Sequence, residues 1–263
     1  MQILKYILSI TLVLLFTACE DVIDVNLNDS APKLVIDASL NWEKGTDGKS
    51  QMIKLSLTAP FFSSSTPVAT GATVTVSGPN NTVFNFVEEG NTGIYKNENF
   101  IPVLNKDYNL EIIYNGETYV ATERMMPVVP IEDVEQKNGG GFSGDEIELK
   151  AFYTDPKGIK NFYLFEFNII KFKTTYLEVY DDEFTDGNRI FAFYSNEDMK
   201  LVDGVIIKSF GISERTYEFY NILLEQTDEN AGDPFSVQPS TVRGNCVNQT
   251  NPDNFPAFIK SAL

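Results

Sequence analysis

The chain has 263 residues, with 20 Lys and Arg against 37 Asp and Glu, no His, two Cys and 43% hydrophobic residues. That composition excludes a disordered chain and a multi-pass membrane protein, and the missing imidazole closes Ser-His-Asp and Cys-His catalysis, His-ligated zinc and histidine pH switching. A formal charge of −17 with no basic stripe repels phosphate backbones, so nucleic acid is excluded as a partner, and any catalysis would fall to carboxylates, Lys, Tyr or hydroxyls.

Residues 1–18 predict a signal peptide. Lys5 precedes an apolar run from Tyr6 to Phe16, broken only by Ser9 and Thr11, and small Thr17 and Ala18 follow before Cys19. The run is too short to span a bilayer, which takes roughly 20 apolar residues. Its small-small-Cys ending resembles the lipobox of bacterial lipoproteins, although Phe16 stands where Leu is usual. The resemblance implies that Cys19 is diacylated and becomes the first mature residue, which places the chain on a membrane by lipid alone. Residues 19–32 read as a polar acidic tether, with Glu20, Asp21 and Asp24 at its start.

From Lys33 the hydrophobic period is two. Segments 33–40, 51–59, 72–78 and 82–88, and the pair flanking Asn115-Gly116, alternate β-branched or aromatic residues with polar ones. Asn115-Gly116 predicts a hairpin turn, because a type I′ turn needs positive φ at both central residues. About seven short strands within roughly ninety residues predict an Ig-like β-sandwich over 33–126. Phe61 and Phe62, in the loop 61–68, are either a contact surface or the edge of the core. Trp42 either stacks on a sugar or packs at a strand end.

Pro127 and Pro130, spaced by valines, mark a connector and the boundary of a second β-rich domain over 127–263. Asn138 to Gly144 is too glycine-rich for a strand interior and reads as a loop or linker. Segments 146–156, 160–180, 189–195 and 204–210 resume strand patterning. The one convincing helix covers 213–228, with Ser213 as N-cap, Tyr217, Tyr220, Leu224 and Thr227 on one face, and Glu214 and Glu218 near its positive end. The expected fold class is therefore mainly β, an N-terminal Ig-like β-sandwich followed by a β-rich domain carrying one α-helix.

Little chemistry emerges. The loop Asp181–Asn188 is the best acidic constellation, but alignment on Gly187 puts Phe184 and Phe193 where a calcium loop needs ligands, so a solvated loop is expected and no metal. Cys246, alone once Cys19 is acylated, reads as a buried small hydrophobe. No cofactor and no catalytic residue are expected, and the chain is not expected to be an enzyme.

Several segments carry a resemblance over nearly all of the mature chain. Cys19-Glu-Asp-Val-Ile-Asp-Val-Asn-Leu, Pro32-Lys-Leu-Val-Ile-Asp-Ala, Pro67-Val-Ala-Thr-Gly-Ala-Thr-Val-Thr-Val, Gly93-Ile-Tyr, Tyr119-Val-Ala-Thr, Tyr153-Thr-Asp-Pro and Val242-Arg-Gly-Asn are similar to Bacteroidetes outer-membrane lipoproteins of the domain-of-unknown-function 4249 type. The resemblance implies that Glu20, Asp21 and Asp24 act as an export signal to the cell surface, a solvated tether being the alternative. It also implies a TonB-dependent outer-membrane transporter as partner, with this protein as a docking, lid or substrate-capture accessory; the alternative is an independent adhesin or glycan-binding module. Members usually continue past Arg-Gly-Asn into a closing strand, whereas this chain reads Phe255-Pro-Ala-Phe-Ile-Lys-Ser-Ala-Leu263; a missing or altered last strand would leave a sheet edge to be covered by a partner, which the sequence does not decide.

Overall fold

Alternation writes the first strands directly into a sandwich. In β1 (Leu34–Asp37), β2 (Gln51–Leu57), β3 (Thr73–Ser77), β4 (Val83–Glu88), β5 (Ile94–Asn97), β6 (Asp107–Tyr114) and β7 (Glu117–Arg124), buried and exposed side chains largely alternate. Tyr108, Leu110 and Ile112 of β6 point inward while Asn109, Glu111 and Ile113 face solvent, as a pleated strand with one wet face requires. The computed structural model describes residues 31–60, 63, 65–141, 143–227, 242–254 and 256–260. Cys19, Glu20, Asp21, Asp24, Phe61 and Phe62 lie outside the described residues.

The hydrogen-bonded order around the first unit is β14-β7-β6-β3-β4-β5-β2-β1-β15, where β14 is Val247–Asn248 and β15 is Ala257–Lys260. Only two residue pairs join β4 to β5. The sheet folds over at that corner, and β1-β2-β5 faces β3-β6-β7 across one core containing Ile36, Ile53, Leu55, Val76, Phe100 and Leu110. The Asn115-Gly116 turn has φ of 50° and 80°, as the hairpin expectation required. Tyr108, second residue of β6, donates its hydroxyl to the Ile101 carbonyl at 3.0 Å and accepts from the Val103 amide at 2.8 Å. That is the tyrosine corner of Ig-like sandwiches, a ring buried at the start of a strand whose OH ties down the backbone upstream.

The second unit is built from β8 (Asp133–Gly140), β9 (Glu146–Thr154), β10 (Phe162–Ile169), β11 (Thr174–Asp181), β12 (Arg189–Asn196) and β13 (Val205–Ile212). They form two three-stranded antiparallel sheets, β12-β9-β8 and β11-β10-β13, with Tyr153, Tyr163, Phe165, Phe167 and Tyr194 in the core between them. Helix α1 (Glu214–Thr227) covers the other side of β11-β10-β13 and buries Phe219 and Tyr220 against Phe162 and Leu164. This explains why β10 is buried on both faces. Ser213 caps the helix, its Oγ accepting the Thr216 amide at 3.2 Å.

Several expectations are corrected. The 160–180 segment is a hairpin whose turn carries Lys173 at φ 53°, a left-handed residue with no glycine to announce it. Residues 138–140 are not in a loop or linker. β8 runs through them, and a register shift between Asn138 and Gly140 accommodates the glycines. On α1 the buried residues are Thr216, Phe219 and Tyr220, with Tyr217 and Leu223 packed against them, so Tyr217 and Tyr220 of the expected face do turn inward while Thr216 and Phe219 are additions to it.

The boundary drawn for 127–263 also fails at its end. Cys246 lies in the first core, β14 pairs with β7, and β15 runs parallel to β1, because the edges of the first sandwich leave ladder groups that the returning chain satisfies. There the returning chain adds a strand at each edge of the sheet. Pro32–Leu263 form one compact unit. Among the described residues no helix is long and apolar enough to cross a membrane.

Candidate functional site

Two loops meet at one end of the second unit. β9 pairs with β12, Thr154 opposite Arg189, and β10 pairs with β11, Phe162 opposite Asp181. The connections 155–161 and 182–188 must therefore leave the sheets side by side. They bring together Asp155, Asp182 and Asp186, each offering an oxygen within 4.8 Å of the others, the first two being buried.

Each carboxylate of the trio is bound across the loops. Asp155 accepts the Gly187 amide at 3.0 Å and the Tyr163 hydroxyl. Asp182 accepts the Asn161 amide at 2.8 Å, and Asp186 the Gly158 amide at 2.6 Å. Oxygen ligands of this kind suit a hard cation, which asks for six to eight of them when it is calcium. In the structure the three acids also knot two loops together, with Asp182 satisfying the buried Asn161 amide. The sequence pattern singles out 181–188 alone, and Asp155, the third member, comes from another strand end; its only signal is Tyr153-Thr-Asp-Pro closing a strand.

Beside the trio lies an open cleft of about 590 Å³, lined in part by Lys160, Phe162, Asp181, Glu214, Tyr217 and Glu218. Lys160 Nζ reaches Glu214 Oε1 at 2.5 Å and stands 5.1 Å from the Phe162 ring centre. The hydrogen bond to Glu214 raises the Lys160 pKa above the ordinary lysine value. Tyr217 donates to Asp181 Oδ2 at 3.0 Å, its ring 5.1 Å from that of Phe162. Burial first, and then the Asp181 carboxylate, raise the Tyr217 pKa. A second cleft, of about 520 Å³, adjoins it around Asp107, Arg124 and the start of α1. There Arg124 forks onto Asp107 at 2.7 and 3.2 Å and holds that carboxyl below its usual range.

Trp42 is 39% exposed, donates Nε1–H to the Thr46 carbonyl at 2.9 Å, and lies so close to Gly48 that a Cβ there would meet its ring at 2.7 Å. It closes its own loop while keeping part of its ring in solvent. Cys246 is 7% exposed, and burial pushes its thiol up to about 12, which keeps it protonated and unreactive at neutral pH.

Fold and site together define a class: a mainly β protein that opens with an Ig-like β-sandwich and ends its second unit in polar clefts walled by paired charges. The chain belongs to the family described as "Domain of unknown function (DUF4249)", which matches residues 20–254. A solved two fibronectin type-III domain segment from chicken tenascin is similar to it at 9% identity and a TM-score of 0.22, covering 69% of this chain and 99% of that one. A search of the curated proteins finds no match.

Proposed function

We propose that this protein is a Bacteroidetes-type outer-membrane surface lipoprotein, held to the bilayer by acyl chains on Cys19. In this reading it serves as a non-enzymatic accessory of a TonB-dependent transporter, docking on the barrel and acting as lid or capture subunit. The observation that carries the non-catalytic part is the commitment of the ionisable groups around the main cleft. Lys160 is bound by Glu214, Tyr217 is bound to Asp181, and each aspartate of the trio accepts a loop amide. A general acid or base needs a proton it can exchange with a substrate at a matched pKa, and groups locked onto one another make a rigid surface instead.

The anchor is supported by the sequence around Cys19, an apolar run ending in small residues, and by a family match that starts at residue 20, directly after that cysteine. Two or more acyl chains hold a folded domain stably at a membrane, each buried CH2 contributing roughly 0.8 kcal/mol. Affinity purification of a tagged native copy from detergent-solubilised outer membranes tests the partnership. A large β-barrel transporter recovered in near-equal amount is the expected result; recovery of the lipoprotein alone would refute it.

A further inference from the structure

Among the described residues β8 has a ladder neighbour on one side only. It is the edge of β12-β9-β8, and seven of its eight residues are exposed. Val134 is 47% exposed although it sits opposite Ala151, on the core face of the sheet. Long exposed edges are templates for further pairing, and proteins that must prevent it place like charges there. Here the signs alternate.

The cross-strand register shows the pattern. Glu135 stands opposite Lys150, and Lys137 opposite Glu148, while Lys150 Nζ and Glu148 Oε1 are 2.6 Å apart along β9. A carboxylate and an ammonium two residues apart on the same face make the edge complementary to itself. An antiparallel second copy centred on Gln136 sets Glu135 against Lys137 twice. Each row would then read lysine, glutamate, lysine, glutamate across four strands: Lys150 and Glu135 of one copy, then Lys137 and Glu148 of the other. Centring on Glu135 would set glutamate on glutamate, although it also brings Asp133 opposite Lys137 twice, and centring on Lys137 would set lysine on lysine; of the three, the Gln136 register alone pairs opposite charges with no like-charge pair.

We propose that β8 pairs antiparallel with β8 of a second copy of this chain, joining two three-stranded sheets into one six-stranded sheet about a two-fold axis at Gln136. Such an interface is isologous, each copy offering the same strand to the other, and closes at the dimer. The pairing is independent of the anchor and of the transporter partnership.

Disulfide trapping in the full chain tests it. Residues facing each other across an antiparallel pair have Cα atoms about 4.5 to 5.5 Å apart, inside the range a disulfide accepts. Gln136→Cys is therefore expected to give disulfide-linked dimers on mild oxidation. Val134→Cys, whose copies lie roughly 13 Å apart along the strands at about 3.3 Å per residue, is not. In the Gln136→Cys background, Glu135→Lys alone and Lys137→Glu alone should each lose most of the crosslink, since each sets like charges together. Mixing those two proteins should restore it as a heterodimer, which also shows that both variants still fold. No crosslink from Gln136→Cys, equal crosslinking from Val134→Cys, single variants that crosslink undiminished, or a mixture that fails to recover would each overturn the pairing.

Discussion

The surroundings of Glu178 oppose its charge. It stands opposite Phe165 in the β10–β11 ladder, on the face it shares with Tyr176 and Tyr180, and burial alone pushes its carboxyl up. A carboxyl raised on folding binds a proton more tightly in the native state than in the unfolded one, so this group favours the fold below the unfolded pKa. That contribution is lost as pH rises through the folded value. Glu178→Gln is therefore expected to raise the denaturation midpoint at pH 7 and to leave it little changed near pH 3, as urea titrations at the two pH values would show. A midpoint at pH 7 equal to or below that of the native protein would mean that Glu178 has a charged partner after all. At the same scale, the buried Cys246 behaves as its lone position in the sequence suggested, whereas Trp42 owes its role to Thr46 and Gly48, contacts that a linear sequence does not display.

Among elements, the clearest test concerns the corner that ties β6 to the chain before it. Tyr108→Phe keeps the ring and its packing against Phe100, at 5.1 Å, but leaves the Ile101 carbonyl and Val103 amide without the hydroxyl. A loss of about 1 to 3 kcal/mol in unfolding free energy is expected, the cost of orphaned polar groups at a part-buried site. Chemical denaturation measures it, and an unchanged midpoint would mean that the corner is ornamental.

Legibility of the elements followed the physics that made them. β2, β4 and β6 show on paper because one face is wet and the other dry, and Asn115-Gly116 shows because the turn demands positive φ. β8 did not, since an exposed edge strand carries no buried face to imprint a period, and its glycines read as loop. The hairpin at Lys173 was hidden for the related reason that β10, covered by a sheet on one side and α1 on the other, is apolar on both faces. The helix showed through its cap at Ser213 and through Tyr217 and Tyr220, while Phe219 and Thr216 were missed because its aromatic and aliphatic positions suit more than one face.

For the whole molecule, long-range returns were the least readable feature. Nothing local marks Cys246, β14 and β15 as parts of the first sandwich; they are held there by ladder pairing with β7 and β1, across more than a hundred residues. The aspartate trio is of the same kind, assembled by the register of two sheets from strand ends far apart in sequence. The proposed role, a folded companion working at a bilayer surface, depends on the lipid anchor expected at Cys19. Mass spectrometry of the N-terminal peptide of the native protein tests this most directly. The account predicts a mature chain beginning at Cys19 and carrying diacylglyceryl mass, recovered with membranes; an unmodified N-terminus on protein found free in solution would contradict it.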